Sequence, residues 1–166
     1  MAIKINDEGI SFIHRKETLR LKAYDDGTGK ELTPDQIKNH TWSGYPSIGW
    51  GHLIRLPEDE WMLNGITEEQ ANEIENKDLK DVYLGLSYVK PVINQNQINA
   101  IADLIYNIGS GNFKSSTLLK KINMSLTIER DYFTVWNKTR VDGKLIIRRG
   151  LTIRRNEEYE LYCKEV

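Results

Sequence analysis

The chain has 166 residues, 23 Lys and Arg against 24 Asp and Glu, a formal net charge of −1 and 39% hydrophobic residues. That is the balance of an ordinary globular protein able to bury a core without staples, and it lacks the strong basic excess of a nucleic-acid-binding module. The single cysteine, Cys163, excludes an internal disulfide and any zinc site built on several thiolates.

Asn6 or Asp7 caps a first helix that runs out near Glu17, with Ile10, Phe12, Ile13 and Leu19 as its core contacts. A stretch rich in glycine, threonine and aromatics then extends to about residue 56. Gly27, Gly29, Pro34, Gly44, Pro46, Gly49 and Gly51 punctuate it, which predicts turns between short strands. Thr67-Glu68-Glu69-Gln70 is a capping box. It opens a helix with Ala71, Ile74, Leu79, Val82 and Tyr83 at apolar positions, continuing toward Val89 until Pro91 stops it.

Asn94 caps the next helix, whose Ile98, Ile101, Ala102, Ile105 and Tyr106 share a face, and Gly109-Ser110-Gly111 ends it. Ser115 or Ser116 starts a further helix through Leu118, Leu119 and Ile122. Thr127 caps another, with Tyr132, Phe133 and Trp136 turned inward. Gly143 and Gly150 bracket a loop, and a last helix spans about Thr152 to Tyr162. The expected class is α+β, with strands confined to the early block. The lobes are expected at about residues 16–60 (small, β-rich) and at 1–15 with 67–166 (helical), forming one domain.

No apolar run approaches the ~20 residues that span a bilayer, so no stable membrane insertion is expected. The start, Met1 to Glu8, lacks the apolar stretch of an export signal. Charge is unevenly spread. Residues 57–81 carry nine acids against Lys77 and Lys80, whereas residues 112–166 carry twelve Lys and Arg against seven acids. A solvated mixed surface and a face for an anionic polymer both fit that basic excess.

Glu17 and Asp26 stand nine apart, and Ser47-Ile48-Gly49-Trp50-Gly51-His52 follows. Cutting a glycosidic bond takes one carboxylic acid, one carboxylate and a water. Glu17, beside Leu19 and Leu21 at a helix end, suits the acid, because a partly desolvated carboxyl favours its neutral form. Asp26 lies in a wetter turn and suits the group that orients water, with the Ser47 hydroxyl holding that water. With twenty-four acids in the chain, an isolated Glu and Asp pair is weak evidence; the flanking pattern carries the weight. His52 reads as a buried structural histidine, His14 and His40 as surface residues, Trp61 and Trp136 as core, and Cys163 as a small apolar filler. The histidines have no metal-ligand spacing.

Glu17-Thr18-Leu19-Arg20-Leu21-Lys22-Ala23-Tyr24-Asp25-Asp26 with Pro46-Ser47-Ile48-Gly49-Trp50-Gly51-His52 resembles the signature of the phage-type lysozymes, the endolysin muramidases of glycoside hydrolase family 24. The resemblance continues through Leu104-Ile105-Tyr106-Asn107-Ile108-Gly109, Ser116-Thr117-Leu118-Leu119 and Gly150-Leu151-Thr152-Ile153-Arg154-Arg155 with Glu158. It covers the chain from about residue 7 to 162. It implies a two-lobed α+β fold and hydrolysis of the β-1,4 bond between N-acetylmuramic acid and N-acetylglucosamine in peptidoglycan, causing host lysis.

By position, the resemblance makes Glu17 the acid, Asp26 the water-handling carboxylate and Ser47 the counterpart of a threonine. Asn107 matches a cleft-lining amide, and Arg154 (Arg155 as substitute) matches the arginine that pairs with the catalytic glutamate. An inverting course implies carboxyl groups roughly 6.5–9.5 Å apart. The resemblance implies no metal or organic cofactor, peptidoglycan as partner and a monomer. With no export signal, it also implies residence in the host cytoplasm until a separate membrane-permeabilising protein opens the way to the wall. Thr18 replaces a usual glycine, Ser47 replaces threonine, and the segment between Asp26 and Ser47 is longer than in short family members. Its Trp42 and Tyr45 either add sugar-stacking contacts or sit on a hairpin that merely packs on the lobe. The rivals are a non-catalytic wall-binding relative, a lytic transglycosylase and a nucleic-acid-binding module.

Overall fold

A computed structural model describes residues 3–141 and 144–165. The chain divides into two units, Glu17–Asp78 on the one hand and Met1–Lys16 with Leu79–Val166 on the other.

The unit Glu17–Asp78 is built on an antiparallel sheet of β1 (Arg20–Asp25), β2 (Pro46–Gly49) and β3 (His52–Leu53), with β2 in the middle. Tyr24 pairs with Ser47, and Ser47 pairs with Leu53 on its other side. The turn from β2 to β3 needs left-handed backbone at Gly49 (φ 65°) and Gly51 (φ 81°), which only glycine adopts without strain. Ala23, Ile37, Ile48, Met62 and Ile74 fill the core beneath the sheet. Leu19 packs here and not against the first helix, because the helix has already ended.

The segment read as turns between strands holds a short helix, α2 (Pro34–Lys38). Thr33 Oγ1 accepts the Gln36 N–H and Gln36 Oε1 accepts the Thr33 N–H, with Pro34 in the first turn, so the helix start is fully specified locally. Trp61, expected in the core, lies in a 3₁₀ turn (Glu60–Met62) and is exposed, while its neighbours Met62 and Leu63 are buried.

The other unit is mainly helical. α1 (Asp7–His14) starts where Asn6 Oδ1 accepts the Gly9 N–H. α3 (Glu68–Leu86) starts in the first unit with the reciprocal Thr67–Gln70 bonds and ends in this one at Leu86, short of Val89, with Tyr83 exposed. α4 (Gln95–Ile108) opens on the Asn94–Gln97 capping box. Every residue from Ile98 to Ile105 is buried, so the middle of α4 is enclosed on all sides. Its two buried polar residues are partnered: Asn99 by Asn6 and Gln95, Asp103 by Arg154.

Gly109 (φ 83°) ends α4, but Gly109-Ser110-Gly111 is only a one-residue break. α5 (Ser110–Ser115) follows at once, tied down where Ser110 donates its N–H and hydroxyl to Asp81. Ser116 then caps α6 (Thr117–Asn123). Thr127 caps nothing: α7 (Asp131–Thr134) begins after Arg130, with Phe133 buried. The expected loop between Gly143 and Gly150 is a hairpin, β4 (Lys138–Val141) with β5 (Lys144–Ile147), so strands are not confined to the early block. Gly143 itself lies outside the described residues. Gly150 sits in the first turn of α8 (Arg149–Tyr162), and Cys163, just past that helix, is exposed and not a filler. The architecture is α+β.

Candidate active site

Glu17, Asp26 and Ser47 belong to the same unit. Glu17 follows the end of α1 by three residues and is half-buried; Asp26 directly follows β1 and is exposed. Among the described residues only His40 and Ser125 are non-glycine residues with positive φ, so Thr18 in place of the family glycine keeps a backbone open to any L residue. The glycine turn lies against the Glu17 carboxylate: a Cβ on Gly51 would stand 2.6 Å from Glu17 Oε2. Gly51 is therefore required for its backbone, and a side chain there would displace the Glu17 carboxylate.

The two adjacent aspartates have opposite surroundings. Asp25 is only 4% exposed and accepts four hydrogen bonds, from the N–H groups of Gly27, Ser43 and Gly44 and from Ser43 Oγ, at 2.9–3.0 Å. Burial disfavours its charge, but these donors prevail and hold its carboxyl below the usual carboxylate range. Asp25 is a structural anchor that clamps both ends of the 27–44 segment. Asp26 instead is exposed; it accepts from the Tyr45 N–H at 2.5 Å, while its own N–H donates to the Tyr45 carbonyl at 3.0 Å.

Ser47 is buried in the central strand, with its hydroxyl 3.5 Å from the same Tyr45 carbonyl. Tyr45 thus joins Asp26 to Ser47 through its backbone. A second tyrosine joins Asp26 to Glu17 through space. The Tyr24 phenol is pushed up to about 12, first by burial and then by the charges of Glu17 and Asp26, with Arg20 opposing from 4.4 Å over the ring. Both carboxylates therefore act on one hydroxyl. Neither tyrosine was singled out from sequence for these links; the cross-strand pairing of Tyr24 with Ser47 follows from the sheet register.

His52 is half-buried between carboxylates, with Nδ1 2.9 Å from Asp78 and Nε2 3.3 Å from Asp59. Its surroundings are those of a structural histidine, as the sequence suggests.

Asn107 and Arg154 lie in the helical unit. Asn107 is exposed near the C-terminal end of α4. Arg154 is buried on α8, with Nε and Nη2 donating to the two Asp103 oxygens at 2.9 and 2.8 Å. Arg155 is fully buried and donates to Glu158 Oε1 at 2.5 Å. Burial, helped by the charge of Asp103 and a hydrogen bond with it, pushes the Glu158 carboxyl well above the usual range despite Arg155.

Residues 14–158 match the family model described as phage lysozyme. An endolysin of Acyrthosiphon pisum secondary endosymbiont phage 1 is 34% identical over 165 residues, covering 95% of this chain and 97% of the relative. An endolysin from Escherichia coli O157:H7 phage FAHEc1 superposes with a TM-score of 0.74 at 25% identity, over 100% of this chain and 97% of that one. A muramidase domain from Asticaccaulis excentricus superposes with a TM-score of 0.72 at 25% identity, over 98% and 99%. With a signature, a fold and full-length relatives that agree, the chain belongs to the phage lysozyme family.

Proposed function

We propose that this lysozyme-type endolysin hydrolyses the β-1,4 bond between N-acetylmuramic acid and N-acetylglucosamine, with Glu17 as general acid and Asp26 as the carboxylate that handles water. Glu17 gives its proton to the bridging oxygen as the bond breaks and positive charge develops on the sugar ring. A water held by Asp26 and the Ser47 hydroxyl attacks the opposite face, passing its proton toward Asp26. Asn107 and Arg154 are assigned supporting roles on the family resemblance. What supports the reading is geometry: a half-buried Glu17 lies against the Gly51 turn, and an exposed Asp26 is tied through the Tyr45 backbone to Ser47. Peptidoglycan is the target; the enzyme works as a monomer, held in the host cytoplasm until a separate membrane-permeabilising protein opens the way.

The test is cleavage of purified sacculi by the chain and by Glu17→Gln, with mass analysis of the products. New reducing ends from the parent, and a loss of at least about 100-fold in the variant with its melting temperature unchanged, are expected. Anhydro-sugar products would make it a lytic transglycosylase instead. Full activity of Glu17→Gln would overturn the assignment.

A further inference from the structure

We infer that the exposed ring of Tyr45 is a stacking platform for one N-acetylhexosamine ring of the glycan, seated beside Asp26. The inference rests on the reading of Asp26 given above and extends it to how the substrate is gripped.

The backbone of Tyr45 is fixed on every side. Its N–H donates to Asp26 Oδ1 at 2.5 Å, and its carbonyl accepts from the Asp26 N–H at 3.0 Å and faces the Ser47 hydroxyl at 3.5 Å. Pro46 follows and restricts Tyr45 to extended backbone. Gly44 precedes it, and a Cβ there would stand 2.1 Å from Asp26 Oδ1, so the chain must pass the carboxylate this closely. One residue further back, Ser43 is held by Asp25. Yet the side chain on this fixed backbone is 53% exposed.

Trp42, in the same segment, shows what the bland alternative looks like: it packs on the core of its unit. Tyr45 does not. A large ring left in water on a backbone that has already lost its freedom costs little further entropy to use in binding. A pyranose presents a face of C–H bonds rimmed by hydroxyls, which matches a phenol face with a polar tip. The backbone that carries this ring is bonded to the carboxylate assigned to the attacking water, so a sugar held here lies close to the bond that is cut.

The probe is peptide-free glycan strands of alternating N-acetylglucosamine and N-acetylmuramic acid. Tyr45→Ala is expected to raise KM about tenfold with kcat within about twofold, while Tyr45→Phe and Tyr45→Trp stay near the parent. In a Glu17→Gln background, Tyr45→Ala is expected to weaken the Kd for the strands by a similar factor. An unchanged KM and Kd in Tyr45→Ala would overturn the platform. So would a Tyr45→Phe loss equal to that of alanine, which would mean a hydroxyl contact and not stacking. A fall in kcat at constant KM would mean that Tyr45 acts only through Asp26, and would equally overturn it. If the parent fails to cut the strands, the hydrolase reading fails, and the Kd comparison still decides whether Tyr45 grips the glycan. The three hydrogen bonds are to the backbone of Tyr45, so the alanine variant keeps them; Tyr45→Trp serves as the second variant with the ring retained.

Discussion

His52 and Asp78 are paired within the unit Glu17–Asp78: the imidazole Nδ1 stands 2.9 and 3.1 Å from the two Asp78 oxygens. Asp59 faces the other ring nitrogen at 3.3 Å and also accepts the Arg55 N–H. Burial opposes the imidazolium, but Asp78 and Asp59 outweigh it, and the His52 pKa is raised. The folded-state pKa thus lies above the unfolded one. The stabilisation is full below about pH 6.5, the unfolded value, and is lost as pH rises through the folded pKa. His52→Asn should cost about 1–3 kcal/mol at pH 5 and less at pH 9. Thermal melts of both proteins across that range check it; a penalty that grows with pH would reverse the sign assigned here.

Asp25 and Asp26 are neighbours in sequence with separable roles. Asp25→Ala leaves four donors without their acceptor and should destabilise by about 3 kcal/mol or more. Asp26→Asn keeps the fold, because an amide oxygen still accepts from Tyr45, and should lower turnover about 100-fold or more. Melting temperature and sacculus turbidity, measured on both variants, separate the two. A stable, fully active Asp26→Asn would remove Asp26 from the chemistry.

Local signals carried furthest: the Thr67 capping box and the Asn94 cap placed the starts of α3 and α4, because such signals lie within four residues. The same signal was present at Thr33-Pro34-Asp35-Gln36, yet α2 was hidden among glycines that read as turns. Gly109 read as a full stop, although one left-handed residue only redirects the chain into α5. The β4–β5 hairpin could not be read from alternation, since all of β5 is exposed. The tyrosine links were invisible for a different reason. The Tyr45 link is made by backbone groups that every residue but proline carries, and the Tyr24 link depends on how the strand and its ends place two carboxylates.

Gly51 tests the turn beneath the acid. Its φ of 81° is strained for alanine, and the added methyl would meet Glu17 Oε2 at 2.6 Å. Gly51→Ala should cost about 1–3 kcal/mol and, by displacing the Glu17 carboxyl, lower kcat by about tenfold or more. Activity measured well below the variant's melting temperature checks it. A variant that is destabilised but fully active would show that Glu17 tolerates the shift.

Arg155 and Glu158 test what a buried pair does for the helical unit. Both side chains are fully enclosed, and Glu158 Oε1 takes Arg155 Nη2 at 2.5 Å, while Asp103 and Arg154 complete the cluster. Removing one partner strands the other charge out of water. Glu158→Leu alone should therefore destabilise by about 3–5 kcal/mol, whereas Glu158→Leu with Arg155→Met should recover most of that loss. Denaturant melts of the single and double variants measure the coupling. If the double variant lost as much as the sum of the singles, the pair would not act as a unit, and the cluster would instead stabilise through Arg154 and Asp103 alone.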